Sequence, residues 1–190
     1  MISDKTLAIH KDKLYQGYVA KVTEINGKLR ELREKLVSGE DSGNATYSNL
    51  KGLKESETFA VNGVYLHEWY FTVLGGGDSN EAPELVKALE EKWGSLDVAI
   101  KIMSECAMAA RGWMILCWDT KAGRLKQFNA DAHNQGGVWG TIPIIVLDVY
   151  EHSYFIDYGA DRKAYITDFW QQFNWSVAEM LYLKVRDFKL

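Results

Sequence analysis

Apolar side chains recur at Tyr18, Val22, Ile25, Leu29, Leu32 and Leu36, in steps of four, three, four, three and four, with Lys21, Glu24, Lys28, Arg30 and Glu34 between them. That spacing predicts an amphipathic helix over about residues 5 to 37 with one narrow apolar seam. The run SGEDSGNATYSN at 38–49 is rich in turn formers and predicts a loop. A second helix is expected over about residues 56 to 74, SETFAVNGVYLHEWYFTVL, stopped by GGGDSN. Two long helices joined by a turn make an antiparallel hairpin. Beyond Pro83 the pattern shortens: APELVKALEEKWG and SLDVAIKIMSECAMAA predict two smaller helices. Three strand-like runs follow, at 112–118, 124–129 and 142–148, the first two linked by DTKAG, which suits a hairpin turn. The tail from about 161 to 187 is again helical, with Tyr165, Phe169, Phe173 and Trp175 on its apolar side. The expected fold is therefore α+β: an N-terminal antiparallel two-helix hairpin over 1–76, then a lobe over 84–190 with a three-stranded antiparallel sheet and flanking helices.

Composition removes several function classes. The 190 residues carry a formal net charge of −4, so there is no global basic field for nucleic acid. The longest branched run, IPIIVL at 142–147, is far too short to span a bilayer. The first residues, MISDKTLAIHKDK, are polar and hold no hydrophobic export core, which makes the cytoplasm the expected location. Cys106 and Cys117 lie eleven apart without a CxxC pair, and read as two free thiols in a reducing compartment.

The four histidines change the picture more. His10, Leu14 and Tyr18 fall at i, i+4 and i+8, so His10 is expected to point inward from the first helix. His67 lies in the second helix, with Gly63 one turn before it, Phe71 one turn after, and aromatic neighbours including Trp69. Either imidazole alone reads as a hydrogen-bonded core histidine. Asp148 and His152 add a carboxylate at the end of an apolar strand and an imidazole four residues on, in LDVYEHSYF. An unpaired carboxylate there would be costly. Together the four residues make a His₃Asp set that suits iron, manganese or zinc, and the absence of thiolate argues against a cysteine-type structural zinc site. Spacing alone does not require the four to converge.

DVYEHSYF resembles the DVWEHAYY signature of the iron/manganese superoxide dismutases, departing from it at Tyr150, Ser153 and Phe155. TLAIHKDKLYQGYV is similar to that family's first-helix motif, and YLHEWYF, WGS, GW at 112–113 and FNWS also match, so the likeness covers nearly the whole chain. The resemblance implies that His10, His67, Asp148 and His152 bind one iron or manganese ion per subunit, with a solvent molecule as fifth ligand. It implies that Tyr18 is the gateway tyrosine and that Glu151 reaches the ligand histidine of a second copy, in a homodimer or homotetramer joined through Glu151 and His152. It also implies a polar donor to the solvent. With Gly63 at one of the two positions from which the family supplies it, His133 in ADAHNQ is expected to fill the gap above that glycine. Trp113, Tyr150, Phe71 and Trp69 are expected to form an aromatic wall, and Lys11, Lys13, Arg162 and Lys163 are candidates for a positive rim.

The activity implied is disproportionation of superoxide to dioxygen and hydrogen peroxide, with no nucleic-acid or membrane partner. Leu14 and Phe155 replace a histidine and a tyrosine that the family usually pairs across its dimer, and Tyr150 replaces a wall tryptophan. These departures leave a second reading, a divergent member that holds metal with little or no dismutase activity. A zinc hydrolase is disfavoured because no extra general base stands beside the set.

Overall fold

The computed structural model describes residues 1–189. A helical rod runs unbroken from Asp4 to Ser38 as α1 (Asp4–Ile9), a π-helical segment (His10–Tyr15) and α2 (Gln16–Ser38). The Ser3 hydroxyl accepts from the Thr6 amide at 3.2 Å and caps its start, while Gly39, at φ 81°, takes the left-handed conformation that ends it. Packed against α2, α3 (Asn49–Thr72) begins seven residues earlier than the apolar pattern predicts. Its first turns are mostly exposed and polar, so they carry no stripe to read; the Ser48 hydroxyl, accepting from the Lys51 amide at 3.1 Å, marks the true start.

Beyond the hairpin come α4 (Pro83–Trp93) and α5 (Leu96–Ala109), then β1 (Trp113–Asp119), β2 (Arg124–Ala130) and β3 (Thr141–Asp148) in one antiparallel sheet of order β2-β1-β3. The β1–β2 turn is held by Asp119, whose carboxylate accepts from the amides of Lys121 and Ala122. Residues 113–118 of β1 and 144–148 of β3 are buried throughout, which is why those strands read as continuous apolar runs. The tail forms α6 (Glu151–Tyr158), α7 (Arg162–Gln171) and α8 (Trp175–Val185). The predicted tail helix breaks between α7 and α8 because Phe173 bridges to Leu74 and the Asn174 amide donates to Val73 O at 2.9 Å, a tertiary contact that periodicity does not carry.

Strand register brings distant parts of the chain to one edge. Trp113, the first residue of β1, stands opposite both Ala130 at the end of β2 and Asp148 at the end of β3. One rim of the sheet therefore gathers the start of one strand, the ends of two others and the start of α6. That rim faces the helical hairpin, with α3 against β3. No helix among the described residues is long and apolar enough to cross a membrane.

Candidate metal centre

The π-helical segment begins at His10 and explains how one helix supplies two side chains to one spot. In an α-helix, eight residues advance about 80° beyond two full turns. The wider i→i+5 winding holds more residues per turn and takes up that drift. As a result His10 and Tyr18 both lie against His67, with ring centroids 4.9 and 5.3 Å away.

His10, His67, Asp148 and His152 bring one ligand atom each to within 4.8 Å of one another. The Nε2 atoms of His10, His152 and His67 face one oxygen of Asp148, Oδ2, at 3.2, 3.3 and 3.6 Å. The other carboxylate oxygen is committed: Oδ1 accepts from the Tyr150 amide at 2.9 Å. The Asp148 carbonyl accepts from the Tyr165 hydroxyl at 2.6 Å, and the Ser153 hydroxyl beside it donates to the Tyr150 carbonyl at 2.6 Å. Asp148 is thus fixed on every side except the one its Oδ2 presents to the three imidazoles.

His10, His67 and Asp148 are fully buried and His152 is partly exposed. Burial pushes the Asp148 carboxyl up, but its contacts with His10 and His152 outweigh that and hold it anionic, well below the usual carboxylate range. Burial holds His67 below the usual imidazole range, against the pull of Asp148. His152 is also opposed by burial, yet Asp148 holds it above the usual value. His67 Nδ1 lies 2.5 Å from the Gly63 carbonyl, which can only accept, so Nδ1 carries the proton and Nε2 presents a lone pair.

The donor set fits a metal ion on grounds internal to the chain. His10 Nδ1, His10 Nε2 and His67 Nε2 are buried without a hydrogen-bond partner among the described residues. Such orphans are costly unless something binds them. Nitrogen and oxygen ligands about 2.1 Å from one centre sit about 3.0 Å apart at right angles and about 3.6 Å apart at 120°. The three separations from Asp148 Oδ2 fall within that interval. Three neutral imidazoles and one carboxylate suit a first-row metal.

Around this set, Trp113 Nε1–H donates to His133 Nδ1 at 3.0 Å, and His133 Nε2 lies 2.7 Å from the Tyr18 hydroxyl. Burial and the neighbouring His67 push His133 down to about 4, so it is neutral near pH 7. A neutral ring that accepts at Nδ1 must carry its proton on Nε2, which makes the Tyr18 oxygen the acceptor. Burial and Asp148 hold the Tyr18 phenol above its ordinary value, so it keeps its own proton.

The expectation that His133 lies over Gly63 is corrected by the geometry. A side-chain carbon on Gly63 would meet the Tyr18 ring, with Cδ1 2.7 Å away; His133 sits beyond that ring and bonds to it. His133 is itself buried, at the head of a loop that Gly136, at φ 92°, folds tightly onto the end of β2.

Of the expected wall, Trp113 stands edge-on to His67 at 5.1 Å, Tyr150 stacks on His152 at 5.3 Å and Phe71 contacts His10 at 5.1 Å. Trp69 does not join them. Two residues along a helix turn about 200°, and Trp69 instead lines a groove of about 420 Å³ between α3 and the sheet, with Tyr65 and Trp139. Arg162 donates to the Ala110 carbonyl at 2.8 Å and so is engaged with backbone. Glu151 is exposed at the first position of α6.

The sequence pattern did not single out Phe59, whose ring lies 4.5 Å from His133 and 6.2 Å from Tyr18. Its signal was available, since Phe59, Gly63 and His67 recur every four residues on α3. Tyr70, 5.3 Å from His10, was likewise passed over.

Residues 81–181 match the family model described as iron/manganese superoxide dismutases, C-terminal domain. The chain is similar to the iron superoxide dismutase of Aquifex pyrophilus, at 42% identity over 177 residues, which cover 93% of this chain and 82% of that one. It is 41% identical to the iron superoxide dismutase of Aquifex aeolicus over the same shares of each chain. A manganese superoxide dismutase of Haloarcula marismortui is 34% identical over 186 residues, covering 96% of this chain and 86% of its own. The chain belongs to the iron/manganese superoxide dismutase family.

Proposed function

We propose that this protein disproportionates superoxide, converting two superoxide anions and two protons to dioxygen and hydrogen peroxide, at iron or manganese held by His10, His67, Asp148 and His152. The observation that carries this reading is the convergence of three imidazole Nε2 atoms on one Asp148 oxygen, in a buried pocket where two of those rings have no other partner at Nε2. Iron or manganese held there would supply a one-electron couple for taking an electron from one superoxide and returning one to the next.

The chain's own residues would manage substrate and protons. Tyr18 stands beside His67 with its oxygen accepting from His133, which leaves the Tyr18 hydroxyl proton free for a reduced oxygen species. Trp113, hydrogen-bonded to His133 Nδ1, sets the tautomer on which that orientation depends. Phe59, Phe71, Trp113 and Tyr150 surround the approach with ring faces, which admit a diatomic anion and keep bulk water from Asp148.

The assembly reading is a homodimer or homotetramer joined through Glu151 and His152, at the start of α6. Phe155 and Ile156 on that helix are 58% and 47% exposed, apolar surface that an interface would cover. A cytoplasmic location fits the two unpaired thiols, Cys106 and Cys117.

The test is the dismutation rate per bound metal on one preparation, reconstituted separately with iron and with manganese. Turnover far above the free aquo ion with either metal is expected and names the cofactor. Turnover equal to the free ion at full occupancy would leave a metal-binding protein without the activity.

A further inference from the structure

Against His10 and the Asp148 carbonyl stands a connected set of phenols that the dismutase reading does not use. Tyr70 and Tyr165 are both fully buried, and Tyr70 lies 5.3 Å from the His10 ring. The Tyr165 hydroxyl faces the Asp148 carbonyl at 2.6 Å and the Tyr70 hydroxyl at 3.1 Å. A carbonyl only accepts, so the Tyr165 proton goes there and Tyr70 donates to the Tyr165 oxygen. From Tyr165 the rings continue to two tyrosines of α6: Tyr154, 5.4 Å away, whose hydroxyl accepts from Arg162 and faces no base, and Tyr158, 5.8 Å away. Tyr158 is half-buried and donates to the Asp168 carboxylate at 2.9 Å.

We propose that Tyr158 is an oxidation site connected to the metal centre through Tyr165 and Tyr70, so that oxidising equivalents produced when hydrogen peroxide reacts at that centre settle on Tyr158 near the surface. The proposal rests on the dismutase reading, because that reaction supplies the peroxide.

The order follows from the proton acceptors. A phenol loses its proton when it gives up an electron, so the oxidised species settles where a base can take that proton. Tyr165 faces a carbonyl and Tyr70 a phenol oxygen, neither of which is a base, whereas Tyr158 faces the Asp168 carboxylate, whose same oxygen also accepts from the Met1 ammonium. A competing path through Trp113 leads to Tyr150, ring centroids 6.1 Å apart, but the Tyr150 hydroxyl faces only the Asp131 carbonyl, at 3.4 Å.

The balance closes. Hydrogen peroxide accepts two electrons from the protein and two protons from solvent, and becomes two waters. One electron comes from the centre in its reduced state. The other comes from Tyr158 by way of Tyr165 and Tyr70, the Tyr158 proton passing to Asp168 and a neutral phenoxyl radical remaining on Tyr158.

The iron-loaded protein, its dismutase turnover measured beforehand, would be treated with hydrogen peroxide in the presence of a nitrone spin trap, and the adduct located by peptide mass spectrometry. The expected adduct is on Tyr158, absent from the metal-free protein and lost or strongly reduced in Tyr165→Phe and in Asp168→Asn at equal iron content. Asp168→Asn leaves the buried phenol pair intact, so it decides the matter if Tyr165→Phe folds poorly. An adduct confined to Trp113, Tyr150 or Tyr18, or one at Tyr158 that neither substitution changes, overturns the relay. Because the peroxide is added, an adduct on Tyr158 that depends on Tyr165 upholds the relay even in a preparation without turnover, which counts against the dismutase reading alone.

Discussion

Trp113 and His133 stand twenty residues apart in sequence and are joined by a 3.0 Å hydrogen bond, indole Nε1–H to imidazole Nδ1, within the buried rim of the sheet. Through it the first residue of β1 determines which nitrogen of His133 holds a proton, and so which way the Tyr18 hydroxyl faces. Trp113→Phe keeps most of the ring that packs on His67 but leaves His133 Nδ1 without its donor. An unpaired buried acceptor costs about 1–3 kcal/mol, which denaturant unfolding would read directly. Turnover is expected to fall by about tenfold or more, with metal content unchanged.

Asp148 holds the centre together by charge as well as by geometry. Asp148→Asn preserves the shape, and its side-chain oxygen still accepts from the Tyr150 amide, but the anion shared by three imidazoles is gone. Loss of a group one shell further out typically costs about 10–100-fold in metal affinity, and loss of this ligand's charge is expected to cost more. Competition against a chelator measures it. The unsubstituted protein should also lose its metal-dependent stability on chelation, about 4 kcal/mol where metal is supplied at 1,000 times its dissociation constant.

His133 gives a pH dependence with a definite sign. Its folded-state pKa is pushed down to about 4 by burial and by His67, against about 6.5 for an unfolded histidine. Between those values the unfolded chain binds the extra proton, so stability rises with pH there. The contribution is present in full above about pH 6.5 and is lost as pH falls through about 4. Denaturant unfolding of metal-free protein across that window should show a steeper loss than His133→Gln does. Equal slopes would mean that His133 titrates normally.

Gly63 is needed for the place of Tyr18. A Cβ there would lie 2.7 Å from Tyr18 Cδ1 and 2.9 Å from Cγ, atoms near the base of the ring that cannot swing aside while its hydroxyl stays on His133. Gly63→Ala is expected to cost about 1–3 kcal/mol by overpacking and to break the Tyr18–His133 bond. Retained turnover in a stable Gly63→Ala protein would show that the bond is dispensable.

His67 and Asp148 were legible as candidates from local signatures, but that they would meet His10 and His152 followed from the family resemblance and not from spacing. His67 sits among aromatics on a helix, and Asp148 ends an apolar strand where an unpaired charge would be costly. The strands were legible because β1 and β3 are apolar without alternation. The start of α3 was not, since its first turns are polar and exposed and only the Ser48 cap marks it. The place of His133 was misjudged because the space at Gly63 is taken by a ring from another helix. Tyr165 read as one apolar position in a tail helix, while its hydroxyl bonds to Asp148, seventeen residues away. Periodicity reports which face is buried, and it carries no information about which polar atom meets which across elements.

Glu179 tests the lobe apart from the metal site. Its carboxylate, on α8, is buried and accepts from the amides of Glu84 at 3.0 Å and Leu85 at 2.7 Å, the first turn of α4. Those amides have no partner within the helix, and the positive end of its dipole favours an anion. Ala82, at the cap position, offers no side-chain oxygen, so Glu179 does from a distance what Ser or Asp does locally elsewhere. Glu179→Ala would leave the buried Leu85 amide unpaired, at about 1–3 kcal/mol by the usual cost of an orphaned group, and turn the part-buried Glu84 amide to solvent. Because α4 supplies no ligand, turnover per bound metal at moderate temperature is expected to stay the same while the unfolding midpoint falls. If turnover fell in step with stability, α4 would have to support the metal rim in a way that its position in the fold gives no reason to expect.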